Sequence, residues 1–126
     1  MQEELLFLTS FEANEEERAL DYIRMKHFYP EEVGKYSEVV EQECDKLEYD
    51  GSAMYAQVVD RNALERIANR ITDQCLSDES VFGRKTCPPE KPCRDTVYPI
   101  VLTLLCNEMY VRRCRKCRRD RMFCNN

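Results

Sequence analysis

The sequence predicts an all-α domain of about four helices, cross-linked by three or four disulfide bonds. Composition is the first reason. Only three glycines and five prolines occur in 126 residues, whereas Glu, Arg and Leu are frequent, and this favours helices over a turn-rich sheet. Periodicity is the second reason, because apolar residues recur every three or four positions in several segments, as on the buried face of a helix. The length suits one domain over residues 1–126.

The cysteines supply the cross-linking part of this prediction. A large, even number of cysteines is typical of an oxidising compartment, where disulfides persist, and we therefore predict a secreted protein. A cytosolic zinc-stabilised module is the alternative, although zinc sites usually combine several short-spaced pairs and only Cys114 and Cys117 are separated by two residues. No metal or other cofactor is predicted. The eight cysteines are Cys44, Cys75, Cys87, Cys93, Cys106, Cys114, Cys117 and Cys124.

The amino terminus shows no targeting segment. Residues 1–4 are acidic, and the apolar run at residues 5–8 is too short for a signal peptide. We therefore expect Met1 to have been added to a mature chain whose signal was removed. No stretch approaches the roughly 20 apolar residues of a transmembrane helix.

The first helix is predicted over residues 12–29. It ends before Pro30, because a residue that precedes proline avoids the helical conformation. Residues 1–11 fit a strand, the start of a helix or a flexible arm. The strongest apolar positions of the helix are Ala13, Leu20, Ile23 and Phe28, joined by Tyr22.

The second and third helices are predicted over residues 31–49 and 52–76, and Ser52 or Asp50 can cap the third. Each helix carries a cysteine on its apolar stripe. Such an arrangement suits a Cys44–Cys75 bridge if the two Cα atoms lie within about 7 Å. The stripes are Tyr36, Val40, Cys44 and Leu47 in the second helix, and Ala53, Met54, Leu64, Ile67, Ala68, Ile71 and Cys75 in the third.

Residues 77–94 are predicted to be a proline-rich loop that Cys87 and Cys93 tie down. Long loops in compact domains are usually stapled or functional. The apolar run that follows, residues 97–105, fits either a buried strand or a helix.

The spacing of the last four cysteines favours a helix from residue 95 to about residue 118. On a helix, Cys106, Cys117 and Cys124 lie within about 20° of one another, with Cys114 roughly 80° away. We expect this cysteine-bearing face to continue the apolar face that includes Leu105. The other members of that apolar face are Val101 and Leu102.

Charge is distributed unevenly along the chain, which carries −5 overall. Residues 1–83 contain 8 basic and 20 acidic side chains, whereas residues 84–126 contain 11 and 4. Seven of the ten residues from 112 to 121, here called the basic segment, are cationic. This segment fits either a face that binds a receptor or a heparin-like polyanion, or a solvated helix side that the protein's own acids neutralise. Its cations are Arg112, Arg113, Arg115, Lys116, Arg118, Arg119 and Arg121.

No catalytic group stands out, so an enzyme is the least favoured class. His27 is the only histidine, and the acidic runs lack the contrasting environments of paired catalytic carboxylates. The pair Cys114 and Cys117 resembles a redox motif but lies outside any α/β unit. Nucleic acid is disfavoured because the chain is acidic overall and the basic segment has few aromatic residues for stacking.

The sequence therefore predicts a secreted binding protein, a signalling ligand or effector that engages a receptor or other extracellular protein through the basic segment. An extracellular carrier is a second prediction, in which the helices enclose a small apolar ligand. The cytosolic zinc-stabilised interaction module is the third.

Overall fold

The computed structural model describes the backbone of residues 2–77 and 93–123, and the side chains of residues 10–77 and 94–121. Within these ranges the protein is all-helical and contains no strand, which confirms the predicted class. The chain divides into two compact units, Met1–Pro30 and Glu31–Asn126. The helices are α1 (Gln2–Lys26), α2 (Glu31–Asp45), α3 (Arg61–Ser77) and α4 (Cys93–Phe123), with a short 3-10 helix (Ala53–Tyr55) between α2 and α3.

The amino-terminal unit is the helix α1 and the turn that follows it. Residues 2–11 are helical, so of the three alternatives for this stretch the start of a helix is confirmed. The helix ends at Lys26, and the next residues form a tight turn in which the Tyr29 N–H donates to the Lys26 carbonyl at 3.0 Å. The predicted apolar positions Leu20, Ile23 and Phe28 are exposed. No helix in the described ranges is long and apolar enough to cross a bilayer.

The carboxyl-terminal unit is a three-helix bundle in which α4 packs along both α2 and α3. Most of the apolar positions predicted from helical spacing are buried in its core, for example Val40 in α2 and Ile71 in α3. The predicted positions that are only partly buried are Leu47, Ala53 and Leu64. Met54 of the 3-10 helix is also fully buried and adds to this core. The buried apolar residues are Tyr36, Val40, Cys44, Met54, Ile67, Ala68, Ile71, Cys75, Val97, Val101, Leu105 and Met109.

The third helix begins later than predicted, at Arg61. Its N-terminal cap is Asp60, whose carboxylate accepts a hydrogen bond from the Ala63 N–H at 3.2 Å. This bond satisfies one of the backbone donors that the first turn of a helix leaves open. The predicted caps, Ser52 and Asp50, are therefore wrong. Ser52 instead lies buried before the 3-10 helix and makes no capping bond with its side chain.

The helix α4 is confirmed, but its buried side is not its cysteine side. At 100° per residue, the centre of the buried side lies roughly 130° around the axis from Cys106 and Cys117, and both cysteines are exposed. The expected continuity between the cysteine face and the apolar face of α4 is therefore wrong. The buried residues of α4 are Val97, Val101, Leu105, Glu108, Met109 and Arg112.

Five of the eight cysteines have described side chains, and all five are thiols. Three cysteines remain, which suffice for one bridge within the chain, so the structure does not support three or four disulfides. The five thiols are Cys44, Cys75, Cys106, Cys114 and Cys117. The side chains of Cys87, Cys93 and Cys124, and with them the predicted stapling of the loop, lie outside the described residues.

Cys44 and Cys75 both face the core of the bundle, as predicted. Both are thiols, so the predicted Cys44–Cys75 bridge is not present.

A buried arginine, Arg112, joins α4 to α2. Its side chain is 9% exposed and contacts Glu108 at 2.8 Å, Asp45 at 2.9 Å and Glu48 at 3.1 Å. A further hydrogen bond runs to the carbonyl oxygen of Glu41 at 3.3 Å. Burial alone would lower the pKa of Arg112, but the hydrogen bonds to Glu108 and Asp45 reverse this and raise it. The guanidinium therefore remains charged, and each of its three nitrogens donates to an acceptor.

Replacement of Arg112 by methionine is expected to destabilise the protein by about 3–5 kcal/mol, because Glu108 is then buried without its partner. Denaturant unfolding followed by circular dichroism measures the loss. The control is the double variant Glu108→Leu with Arg112→Met, which should recover much of it, since no unpaired charge is left in the core. A single-variant loss below about 0.5 kcal/mol, as for ordinary surface positions, would contradict this role.

Cys44 lies fully buried beside this network. Burial raises the pKa of its thiol from 9.0 to about 12, although the Arg112 charge acts in the opposite direction. An unfolded chain therefore loses this proton at a lower pH than the folded protein. Above about pH 9 the unfolded state binds fewer protons, so the free energy of unfolding falls as the pH rises toward 12.

Between about pH 8 and pH 10 we expect the wild type to lose stability, with a limiting slope of about 1.4 kcal/mol per pH unit for one proton. Cys44→Ala should show a smaller slope over the same interval, measured by urea unfolding at each pH. Tyr36→Phe is the control, because the pKa of Tyr36 rises from 10.0 to about 12, so its contribution is small below about pH 9 and grows toward pH 10 and above. Equal slopes for wild type and Cys44→Ala would exclude Cys44 as the source.

Candidate functional site

A cleft lies between the chain segment after α2 and the carboxyl-terminal part of α4. Residues 48–57 form one wall and the basic segment forms the other. The cleft has two hollows, with volumes of about 380 and 480 Å³, a size range in which proteins hold small ligands or partner side chains. Tyr55, Lys116 and Asp120 border both hollows. We call this feature the tyrosine–arginine cleft.

Tyr55 forms the ridge between the two hollows. Its hydroxyl donates a hydrogen bond to the Glu48 carboxylate, and the Lys116 ammonium lies 5.4 Å from the centre of its ring, within cation–π range. Burial and the bond to Glu48 raise the pKa of Tyr55 to about 12. The ring is therefore fixed in place, and its hydroxyl stays protonated at neutral pH.

Arg113 fastens this wall of the cleft to α4. Its guanidinium donates hydrogen bonds to the carbonyl oxygens of Met54, Ala56 and Gln57, at 2.8, 2.5 and 3.2 Å. These carbonyls lie at the end of the 3-10 helix, where no N–H group of the helix is available to donate to them. Arg113 thereby holds the 3-10 helix, and with it Tyr55, against α4.

The structure separates the seven cations of the basic segment into an inner and an outer group. The inner group is Arg112 and Arg113, whose hydrogen bonds go to the buried network and to backbone carbonyls. The outer group lies at the surface, fully or partly exposed. Its members are Arg115, Lys116, Arg118, Arg119 and Arg121.

Acidic side chains are interleaved with the outer group. Arg115, 41% exposed, lies 3.9 Å from Glu48, and Lys116 pairs with Asp120 at 3.2 Å. Tyr49, 56% exposed, adds an aromatic ring to the rim. The surface therefore alternates in charge rather than being uniformly positive. The smaller hollow is lined by Glu48, Tyr49, Asp50, Tyr55, Arg112, Arg115, Lys116, Arg119 and Asp120.

A row of sulfur and polar side chains follows the exposed side of α4, and we call it the thiol stripe. Tyr110, Cys114, Cys117 and Arg121 are spaced four, three and four residues apart, which places them within about 60° of one another. A hydrogen bond with Cys114 raises the pKa of Tyr110. Arg121 donates a hydrogen bond to the Cys117 sulfur at 3.2 Å. The exposed Cys106 lies two turns before Cys114 on the same side.

The sequence indicates one wall of the cleft but not the other. The density of cations indicated the basic segment, whereas nothing local connects it with Glu48 or Tyr55. The contacts between the walls join residues 56 to 64 positions apart, and only the fold brings them together. In the described ranges, no three His, Cys, Asp or Glu side chains converge to hold a metal ion.

None of the family models, curated proteins or solved structures compared with this chain matches it. The geometry of the cleft is therefore the basis of the function proposed below.

Proposed function

We propose that this protein is a small helical binding protein that engages an extracellular protein partner through the tyrosine–arginine cleft. The observation that carries the proposal is the pair of hollows with a fixed aromatic ridge between them and cations around them. Tyr and Arg are among the residue types that most often anchor protein interfaces. A ridge that is already held in place loses little conformational entropy when a partner binds.

A protein partner fits this surface better than a uniformly charged polymer. Glu48, Asp50 and Asp120 line the smaller hollow among the cations, and these carboxylates would repel the sulfates of a heparin-like chain. A protein surface of mixed charge can complement both signs, and such complementarity supports specificity and fast association. The carrier alternative stays a prediction, and no observation in the described residues favours it.

The extracellular location belongs to the proposal and rests on the count of eight cysteines. Cys44 and Cys75 are buried, so oxidants reach them poorly in any compartment. Unfolding exposes buried thiols, so in protein purified from its native source and then unfolded only disulfide-bonded cysteines resist alkylation. We expect at least two cysteines to do so until a reductant is added, and the intact mass measures how many are alkylated. Alkylation of all eight before reduction would instead place the protein in a reducing compartment.

A double charge reversal, Arg115→Glu with Arg119→Glu, tests the cleft directly. Both residues line the smaller hollow, so their reversal should weaken binding of a partner captured from extracellular fluid by about 10-fold or more. Binding is measured by surface plasmon resonance, with circular dichroism to confirm that the fold is retained. Tyr49→Ala should weaken binding as well, without any change of charge.

The matched control is Arg61→Glu with Arg66→Glu, which changes the net charge equally on the exposed side of α3. This variant should bind like the wild type. Equal loss in both double variants would attribute the effect to overall charge and contradict a role for the cleft. A third outcome is that the cleft variant alone loses retention on heparin, while its binding to the protein partner is unchanged. This outcome would identify a polyanion as the ligand instead.

A further inference from the structure

Two cysteines of the thiol stripe have the arrangement of half a metal site. Cys114 and Cys117 lie one helical turn apart on α4, where residues three positions apart have Cβ atoms about 5–6 Å from each other. Both are thiols, and Cys117 is exposed while Cys114 is half-buried. Two sulfurs at this spacing can reach a single ion outside the helix.

Each of the two sulfurs also has a hydrogen-bond donor beside it. The Tyr110 hydroxyl bonds with Cys114, and the Arg121 guanidinium donates to the Cys117 sulfur at 3.2 Å. Hydrogen-bond donors of this kind can hold a sulfur ligand in one orientation toward an ion. The exposed Cys106 of the same helix side lies two turns away from this arrangement.

We propose that Cys114 and Cys117 bind zinc, and that two copies of this chain share one ion, each copy supplying two of the four sulfur ligands. Structural zinc is tetrahedral, and four cysteines are a common ligand set. No third ligating side chain converges with this pair in the described part of the chain. A second copy brings the same two sulfurs and so completes the tetrahedron.

The cations near the pair favour this ion. Two basic segments brought together repel each other, whereas a zinc ion with four thiolates carries a net charge of about −2. Arg118 and Arg121 of each copy lie within about 70° of the cysteine pair on α4. Pairing of the two helices should therefore depend on zinc. Zinc binding needs only this chain and the ion, although Cys117 and Arg121 also line the larger hollow of the tyrosine–arginine cleft.

Titration of the metal-free full chain with zinc chloride, in a reductant that is not a thiol, tests the proposal. Light scattering coupled to size-exclusion chromatography should show a monomer that becomes a dimer at one zinc per two chains, and a chelator should reverse the change. Cobalt in place of zinc should give the absorbance of a tetrahedral site with four sulfur ligands.

Variants assign the ligands. Cys114→Ser and Cys117→Ser should each abolish the zinc-dependent dimer, whereas Cys106→Ser, the matched exposed thiol, should leave it intact. Tyr110→Phe and Arg121→Gln should weaken zinc binding by about 10- to 100-fold while a dimer still forms at higher zinc. Circular dichroism confirms that each variant is folded.

Four outcomes would overturn the proposal. They are failure of the chain to bind zinc, one zinc per chain without a dimer, a dimer that Cys117→Ser does not affect, and a dimer that survives the chelator.

Discussion

The buried guanidinium of Arg112 meets three carboxylates that come from α4, from the end of α2 and from the segment after it. Their distances are 2.8 Å to Glu108, 2.9 Å to Asp45 and 3.1 Å to Glu48. A charge this deeply buried is tolerated only when its partners are in place, because an unpaired ion in a protein core is strongly destabilising. The network therefore requires one register of α4 against α2, and the carboxyl-terminal part of α4 takes its position from that register.

The tyrosine–arginine cleft follows from this constraint. Arg113, the next residue, lies about 100° further around α4 and donates to three carbonyl oxygens of residues 54–57. Glu48 belongs both to the Arg112 network and to the hydrogen bond that holds Tyr55. Core packing and surface geometry are thus joined through shared side chains. The outer cations surround a surface whose shape is set from within, which is a favourable condition for specific binding.

The described cysteines differ from what their number suggests. Eight cysteines in a short chain are typical of a disulfide framework, yet Cys44 and Cys75 are buried thiols, and Cys106 and Cys117 lie on the exposed side of α4. Two of the thiols are core residues of small volume. Two others, Cys114 and Cys117, form a pair with hydrogen-bond donors beside it, and our zinc proposal rests on that pair.

The sequence by itself determined the helical class, the apolar stripes of α2 and α3, and the existence of α4, because these depend on spacing within one segment. It also indicated one wall of the cleft, since seven cations within ten residues form a local pattern. Tertiary structure decided which side of α4 is buried and that Asp60 caps α3. It also decided that Arg112 and Arg113 bind groups of the protein itself rather than lying free on the surface. Those outcomes depend on pairings such as Arg112 with Glu48, 64 positions apart, and no local periodicity encodes which distant groups will meet.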